Sequence, residues 1–445
     1  MRNPTKKLKK MKRLIIKNGH LIDPSAGIDG LCDIYVADGL VEDIREAAPG
    51  EGGVQGAGSE TEVIDATGLL VVPGLIDIHV HLREPGFEYK ETIFTGAMAA
   101  AGGGFTTILC MANTEPVNDN QSVTRYILRK AEKAPVRVLP IGAVSMGQEG
   151  KVLTEMNELR EAGCVAFSDD GLNVNDAMLM RRALEYARPL GVPIITHAEE
   201  PSLSCGGSMN EGPVSTRMGL RGIPSAAEYS VVARDIALAE LTGGRLHVAH
   251  VSTASAVDLI REARERGIDV TAEVTPHHLV LCDEDIRNYD TNFKMSPPLR
   301  SERDVEALRQ GLADGTIDCV ATDHAPHSTI EKDVEWEAAS NGVIGLETAF
   351  SALYGLVLEG CLTLERLVAS LTTGPARVMG LEAGSLREGA TADMAIIDLG
   401  ARWTVSEETI RSRSRNTPFL GREMKARVVK TIVGGRVVYE AESGA

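Results

Sequence analysis

The chain has 445 residues, with 63 acidic against 46 basic side chains and a formal net charge of −17. That length exceeds the roughly 100–200 residues of an ordinary domain, so it predicts one large barrel or two domains, and a hydrophobic share of 43% excludes general disorder. The acidic balance excludes a dedicated nucleic-acid binder but leaves a small anionic substrate open, because a local pocket can oppose the global charge.

In chain order, residues 1–13 (MRNPTKKLKKMKR) are basic and read as a solvated tail, with Met11 an alternative start. No apolar stretch long enough for a signal peptide or a membrane span follows them. Residues 13–23, 33–44 and 63–72 combine β-branched residues with turn signals such as Asn18-Gly19 and Asp38-Gly39, and read as strands. Between the last two, residues 49–59 (PGEGGVQGAGS) form a glycine-rich loop without phosphate-binding spacing. From residue 73 to 381 the pattern alternates. Strand-like runs fall at 75–82, 105–111, 136–144, 164–168, 192–196, 245–251, 269–274 and 318–321. Helix-like stretches fall at 92–101, 123–133, 154–162, 176–190, 225–241, 254–266, 303–313 and 345–358. Eight strand–helix units in series predict a (β/α)8 barrel over 73–381. Residues 390–399 and 427–439 read as β again, so 1–72 and 382–445 are expected to form one small β-sandwich domain built from both ends. The seven cysteines (Cys32, Cys110, Cys164, Cys205, Cys282, Cys319 and Cys361) are scattered, odd in number and without a C-x-x-C pair. They suit reduced thiols in a cytoplasm better than a disulfide framework.

The barrel reading places functional side chains at the carboxyl ends of the strands. His79 and His81 end the first strand, Asp169 and Asp170 follow the fourth, and His197 ends the fifth. His250 ends the sixth, His277 and His278 follow the seventh, and Asp323 ends the eighth. In H-x-H on a strand both imidazoles share one face, because side chains alternate with period two. Imidazole and carboxylate suit Zn²⁺ and similar ions, and a catalytic site keeps one position open for water. The spread of such residues over several strands therefore points to a metal centre. His247 is expected to be a packing residue, and His20 lies outside the barrel.

The segment PGLIDIHVHLREPG (residues 73–86) resembles dihydroorotases of the amidohydrolase superfamily. So do MANTEP (111–116), FSDDG (167–171), EVTPHH (273–278), ATDHAPH (321–327) and GLETAF (345–350). The resemblance covers the whole chain. It implies reversible cyclisation of N-carbamoyl-L-aspartate to L-dihydroorotate with loss of water, a step of pyrimidine synthesis. It also implies one or two zinc ions per subunit, with His79, His81 and Asp323 holding one and His197 and His250 a second. Many relatives bridge the two metals with a carboxylated lysine on the fourth strand. Residues 164–171 (CVAFSDDG) contain no lysine, so this chain resembles the branch that uses aspartate, with Asp170 favoured over Asp169.

Metal-bound water has a pKa near ~7, and Asp323 is the expected general base that moves the proton between water and the ring nitrogen. Arg83, two residues beyond His81, is expected on the same side of the strand with a fork suited to the substrate carboxylate. Asn113 and His327 are its implied companions. Where relatives carry Asn in a KMNPPLR-like segment, this chain has Ser296 (KMSPPLR, residues 294–300), which argues against an amide-like contact there. His277 and His278 read as supporting residues. Glu331 and Lys332, in the segment 328–342, read either as a lid or as a solvated charge run. An allantoinase or hydantoinase is the alternative enzyme reading. A non-catalytic partner of aspartate transcarbamoylase is the alternative of another class. Association with that enzyme, or with further copies of this chain, is left open by the resemblance.

Overall fold

The computed structural model describes residues 13–47 and 61–442, so the basic tail up to residue 12 and the glycine-rich loop lie outside the described residues, and Arg13 opens the first strand. The fold is α/β. At the amino end come β1 (Arg13–Asp23), β2 (Ile28–Ala37), β3 (Leu40–Glu46), β4 (Thr61–Asp65) and β5 (Leu70–Pro73). The middle carries β6 (Leu75–Val80), β7 (Phe105–Cys110), β8 (Arg137–Pro140), β9 (Phe167–Ser168) and β10 (Ile194–Thr196). It continues with the short pair β11 (Met209–Asn210) and β12 (Gly222–Ile223), then β13 (Leu246–Val248), β14 (Val270–Val274) and β15 (Cys319–Val320). The carboxyl end adds β16 (Met394–Thr404), β17 (Glu423–Val433) and β18 (Arg436–Glu440).

Strands from the two ends of the chain join in one eight-stranded mixed sheet, ordered β18-β17-β16-β5-β1-β2-β3 with β4 paired to β1. The expected strand 63–72 is two strands, because β1 shifts register between Ile16 and Gly19 and takes β4 along its first half and β5 along its second. Leu14, Ile16, Ile34, Val71, Met394, Ile396 and Ile432 form a buried cluster common to strands of both ends. The Asp38-Gly39 and Gly434-Gly435 turns do close hairpins, and all four residues have positive φ.

In the middle, parallel pairing runs β6-β7-β8 and β9-β10-β13-β14-β15. Gly142, just past β8, bridges to Phe167 of β9, and Val80 of β6 bridges to His324 just past β15. The eight parallel strands thus form a closed circuit of pairings. β6 and β7 are buried at every residue, including the polar Asp77, His79, Thr106 and Thr107, so neither shows the polar-out alternation of a half-exposed strand. The outward-facing core is completed by amphipathic helices. In Ala177–Leu190, Asp176 caps the amino end, accepting from the Met178 and Leu179 N–H groups, and Gly191 ends it at φ 69°. Its buried Met180, Ala183, Leu184 and Ala187 follow the i, i+3, i+4, i+7 stripe, and burial of a Leu-sized chain contributes about 1.5–3 kcal/mol.

A separate apolar cluster gathers Ile76, Ile78, Leu109, Ile141, Ala166, Ile195, Ala249 and Ala321 from around the circuit. The helix Thr373–Met379 covers the amino ends of the strands. Val378 O accepts from Arg245, which precedes β13, and Arg377 pairs with Asp318, which precedes β15. Among the described residues, no helix is long and apolar enough to cross a membrane.

Candidate metal centre and active site

The carboxyl ends of the strands bring the predicted residues together. His79 lies on β6 and His81 one residue beyond it, Asp170 two residues after β9, His197 directly after β10, His250 two residues after β13, and Asp323 three after β15. Asp170 stands at the centre. Its Oδ1 is 3.4 Å from His79 Nε2, from His197 Nδ1 and from His250 Nε2, and its Oδ2 is 3.4 Å from His81 Nε2. Two groups suited to a metal result, His79–His81–Asp170 and Asp170–His197–His250, with the carboxylate common to both. Asp323 Oδ1 joins the first group at 3.0 Å from His81 Nε2 and 3.6 Å from His79 Nε2.

These residues fit divalent cations. Ligand atoms on a tetrahedron with ~2.0–2.1 Å bonds stand about 3.3 Å apart, close to the spacing found. His79 Nε2 and Asp170 Oδ1 are buried and have no hydrogen-bond partner, an arrangement that is costly unless something else binds there. The donor set is nitrogen and oxygen without thiolate, which suits zinc and neighbouring divalent ions. Electrostatics favour ionised carboxylates. Burial alone would raise the Asp170 pKa, but the imidazoles of His79, His197 and His250 hold it well below the usual range. Asp323 is lowered against the same burial cost, by His81 and His79 above all.

A cavity of about 280 Å³ opens on this cluster, lined by His81, Arg83, Asn113, Asp170, His197 and Asp323 among others. A larger one of about 370 Å³ lies across His327 but contains none of the clustered histidines and aspartates, so the smaller cavity is the candidate active site. Arg83 reaches the cavity by a route the strand period does not supply. β6 ends at Val80, and Arg83 sits in left-handed backbone at φ 61°, so alternation along the strand does not set its direction. Its Nε donates to Pro326 O at 3.1 Å and its Nη2 to His327 Nε2 at 3.2 Å. Burial, then the Arg83 charge beside it, pushes His327 down to about 3, so its ring is neutral and Nε2 accepts a hydrogen bond from Arg83 Nη2. Asn113 turns its Oδ1 to His81 Nδ1 at 2.9 Å, which leaves His81 Nε2 directed at the two carboxylates.

Relatives that align over nearly their whole length have one name in common. A dihydro-orotase-like family profile matches residues 68–256. A protein of Anaeromyxobacter sp. (strain K) named dihydroorotase is 55% identical over 96% of this chain and 98% of its own length. The dihydroorotase of Geobacter metallireducens is 52% identical over 96% of this chain and 99% of its own. The chain belongs to the dihydroorotase family. Among solved structures, the L-hydantoinase (dihydropyrimidinase) from Arthrobacter aurescens superposes with a TM-score of 0.84 at 28% identity, covering 97% of this chain and 96% of that one. The likeness to this solved structure extends over nearly the whole α/β architecture.

Around this dihydroorotase-family cluster stand residues that strand-end reasoning passes over. Glu273, on β14, accepts at Oε1 from His79 Nδ1 at 2.6 Å and lies 3.1 Å from His247 Nε2 through Oε2. His79 and His247 overcome the cost of its burial and lower it to about 2. It therefore stays ionised and keeps the His79 proton on Nδ1, with Nε2 facing the cluster. His247, expected only to pack, is thus the second imidazole on this carboxylate. Glu273→Gln is expected to lower metal affinity roughly 10–100-fold, read by titration of the metal-free protein with Zn²⁺. Unchanged affinity would show that Glu273 does not orient His79.

Ser296 lines the cavity and donates to Glu199 Oε2 at 3.1 Å, so the short hydroxyl serves a carboxylate that the sequence reading did not single out. Asp169 turns away from the cluster and accepts from the Val144 and Ser145 backbone and the Ser145 hydroxyl. His278 is held between Thr275 Oγ1 and Pro297 O, and His277 is buried beside it, as supporting residues are expected to be. Glu331 and Lys332 are not a solvated charge run. They lie on a short helix, Thr329–Lys332, where Glu331 pairs with Lys90 and the buried Lys332 Nζ donates to the carbonyls of Lys294, Ser340 and Gly342.

Proposed function

We propose that this chain is a dihydroorotase of pyrimidine biosynthesis, interconverting N-carbamoyl-L-aspartate and L-dihydroorotate, with His79, His81, Asp170, His197, His250 and Asp323 as metal ligands. The carrying observation is Asp170, whose carboxylate is within 3.4 Å of all four imidazoles at the mouth of the strand circuit. His79, His81, Asp170 and Asp323 would hold one zinc ion, and Asp170, His197 and His250 would hold a second. A bound divalent cation supplies acidified water and polarisation of the ring carbonyl. In hydrolysis Asp323 takes a proton from the attacking water and passes it to the departing ring nitrogen. In cyclisation Asp323 takes the proton from the ureido nitrogen and returns it to the oxygen that leaves as water. Arg83, Asn113 and His327, which line the same cavity, hold the substrate's α-carboxylate.

The parallel circuit supports a closed (β/α)8 barrel over 73–381. The apolar cluster common to both chain ends supports a small sandwich from 1–72 and 382–445. Seven unpaired thiols suit a reducing cytoplasm. The hydantoinase-like structural neighbour keeps a second cyclic-amide reading in view, but a buried arginine in the cavity favours an anionic substrate. Metal analysis of the purified protein, with assays on dihydroorotate, allantoin and hydantoin, tests the assignment. Metal together with preferential turnover of dihydroorotate is expected, and turnover of hydantoin or allantoin alone would overturn it. Arg83→Lys keeps the charge and loses the fork, so KM should rise about tenfold or more at little change in kcat. An unchanged KM would remove Arg83 from the carboxylate site.

A further inference from the structure

Seven residues from the carboxyl-terminal part of the chain, 411–417, cross to the loop that follows β15 as an irregular segment without helix or strand. Four of its side chains are buried, Ser412, Ser414, Asn416 and Thr417, although polar surface segments ordinarily face water. Two carboxylates, the buried Glu91 and the half-buried Glu347, hold its first half. Glu347 accepts from the Arg411 and Ser412 N–H groups, and Glu91 accepts from the Ser412 hydroxyl and the Arg413 N–H. Ser414 Oγ donates to Lys90 O at 2.8 Å.

The second half ends on Asn416, whose polar groups are directed at the walls of the candidate active site. Its Oδ1 accepts from the His327 N–H at 3.0 Å. Its Nδ2 donates to Ala325 O and to Gly342 O, each at 3.0 Å, and its own carbonyl accepts from Ile344 N–H at 2.9 Å. Ala325, His327 and Gly342 all line the 280 Å³ cavity. The backbone already ties these walls once, through Ala325 N–H to Val343 O at 2.8 Å, and the Asn416 amide, 89 residues further along the chain, adds a second tie that reaches His327 itself. No other side-chain type of that size presents an acceptor and a two-proton donor on one planar group.

We infer that Asn416 is a positioning residue for the substrate's α-carboxylate, acting through His327 and its partner Arg83. The inference rests on the dihydroorotase reading above, since it names the group that aligns that reading's carboxylate site. The hydrogen bonds of Asn416 go to His327, Ala325, Gly342 and Ile344 rather than to Asp323 or the clustered histidines, so its loss should weaken carboxylate recognition and leave the proton transfer intact.

The test compares N-carbamoyl-L-aspartate with N-carbamoyl-β-alanine, which keeps the ureido group and the reacting carboxyl but lacks the α-carboxylate. The ratio of the inhibition constant of N-carbamoyl-β-alanine to the KM of N-carbamoyl-L-aspartate measures what the α-carboxylate contributes. In Asn416→Ala, KM for N-carbamoyl-L-aspartate should rise about tenfold with kcat within about twofold, while the inhibition constant of N-carbamoyl-β-alanine stays unchanged. Asn416→Asp keeps the oxygen that receives the His327 N–H and loses the donors to Ala325 and Gly342, so its KM should fall between the two. A proportional rise for both ligands, a fall in kcat at constant KM, or no change would each overturn the inference.

Hydrogen exchange on the unmodified protein provides an arm independent of variant folding. Saturating N-carbamoyl-L-aspartate should slow exchange at the His327 and Ile344 amides, both bonded to Asn416, more than N-carbamoyl-β-alanine does. Equal protection by the two ligands would overturn the inference. Failure of the broader reading is separately visible, as absence of dihydroorotate turnover by the unmodified enzyme.

Discussion

Asp323→Asn is expected to lower kcat about 10²- to 10⁴-fold while changing substrate affinity far less. The carboxylate lies 3.0 Å from His81 Nε2 and lines the cavity, so it combines contact with the metal-type cluster and access to the reacting atoms. Its pKa is held low against burial by the neighbouring imidazoles, so at neutral pH it is ionised and ready to accept a proton. The asparagine has nearly the same shape, retains one oxygen toward His81 and cannot take the proton. Rate and binding should therefore separate. The measurement is kcat in both directions together with the inhibition constant of a non-reacting analogue. Turnover within tenfold of the unmodified enzyme would remove Asp323 from the proton path. Loss of bound metal in parallel with turnover would instead make it chiefly a ligand.

The parts of this site that were readable from the sequence are those whose geometry follows from strand period and strand end. His79 and His81 share a face because they are two residues apart, and Asp170, His197, His250 and Asp323 fall beside them because each closes a strand of the same parallel set. The amphipathic helices were readable for the same reason of period. What could not be read depends on contacts distant in sequence or on special backbone. Glu273 is one acidic residue in a strand until the fold brings it to His79, 194 residues away. Asn416 gains its role only through partners on the other side of the cavity. Arg83, His250 and Asp323 have φ values of 61°, 32° and 47°, conformations that no strand pattern predicts. Such backbone costs of order 1–3 kcal/mol per residue and persists where the surroundings enforce it, which is the case in this crowded polar centre. Lys332 was ambiguous because a lysine beside acidic residues resembles a solvated run, and only three converging carbonyls show that it is an internal clamp.

The two adjacent aspartates after β9 separate most sharply by substitution. Asp170→Ala removes the oxygen atoms that stand between the His79–His81 pair and the His197–His250 pair. Both candidate metal positions then lose an anionic ligand at once, and His197 and His250 lose the carboxylate that stands 3.4 Å from each. Metal affinity should fall by more than the roughly 10–100-fold that follows loss of a supporting hydrogen bond, and activity should fall with it. Asp169→Ala should behave differently. Asp169 accepts from Val144 N, Ser145 N and the Ser145 hydroxyl and lies outside both metal-type groups. Leaving those donors buried and unpaired costs about 1–3 kcal/mol each, so this variant should lose thermal stability while retaining its metal. Metal content by elemental analysis, set beside melting temperature, reads both effects in one pair of proteins. If Asp169→Ala loses the metal and Asp170→Ala keeps it, the bridging assignment passes to the other carboxylate. If both keep it, no aspartate bridges, and the shared 3.4 Å spacing around Asp170 is a consequence of packing alone.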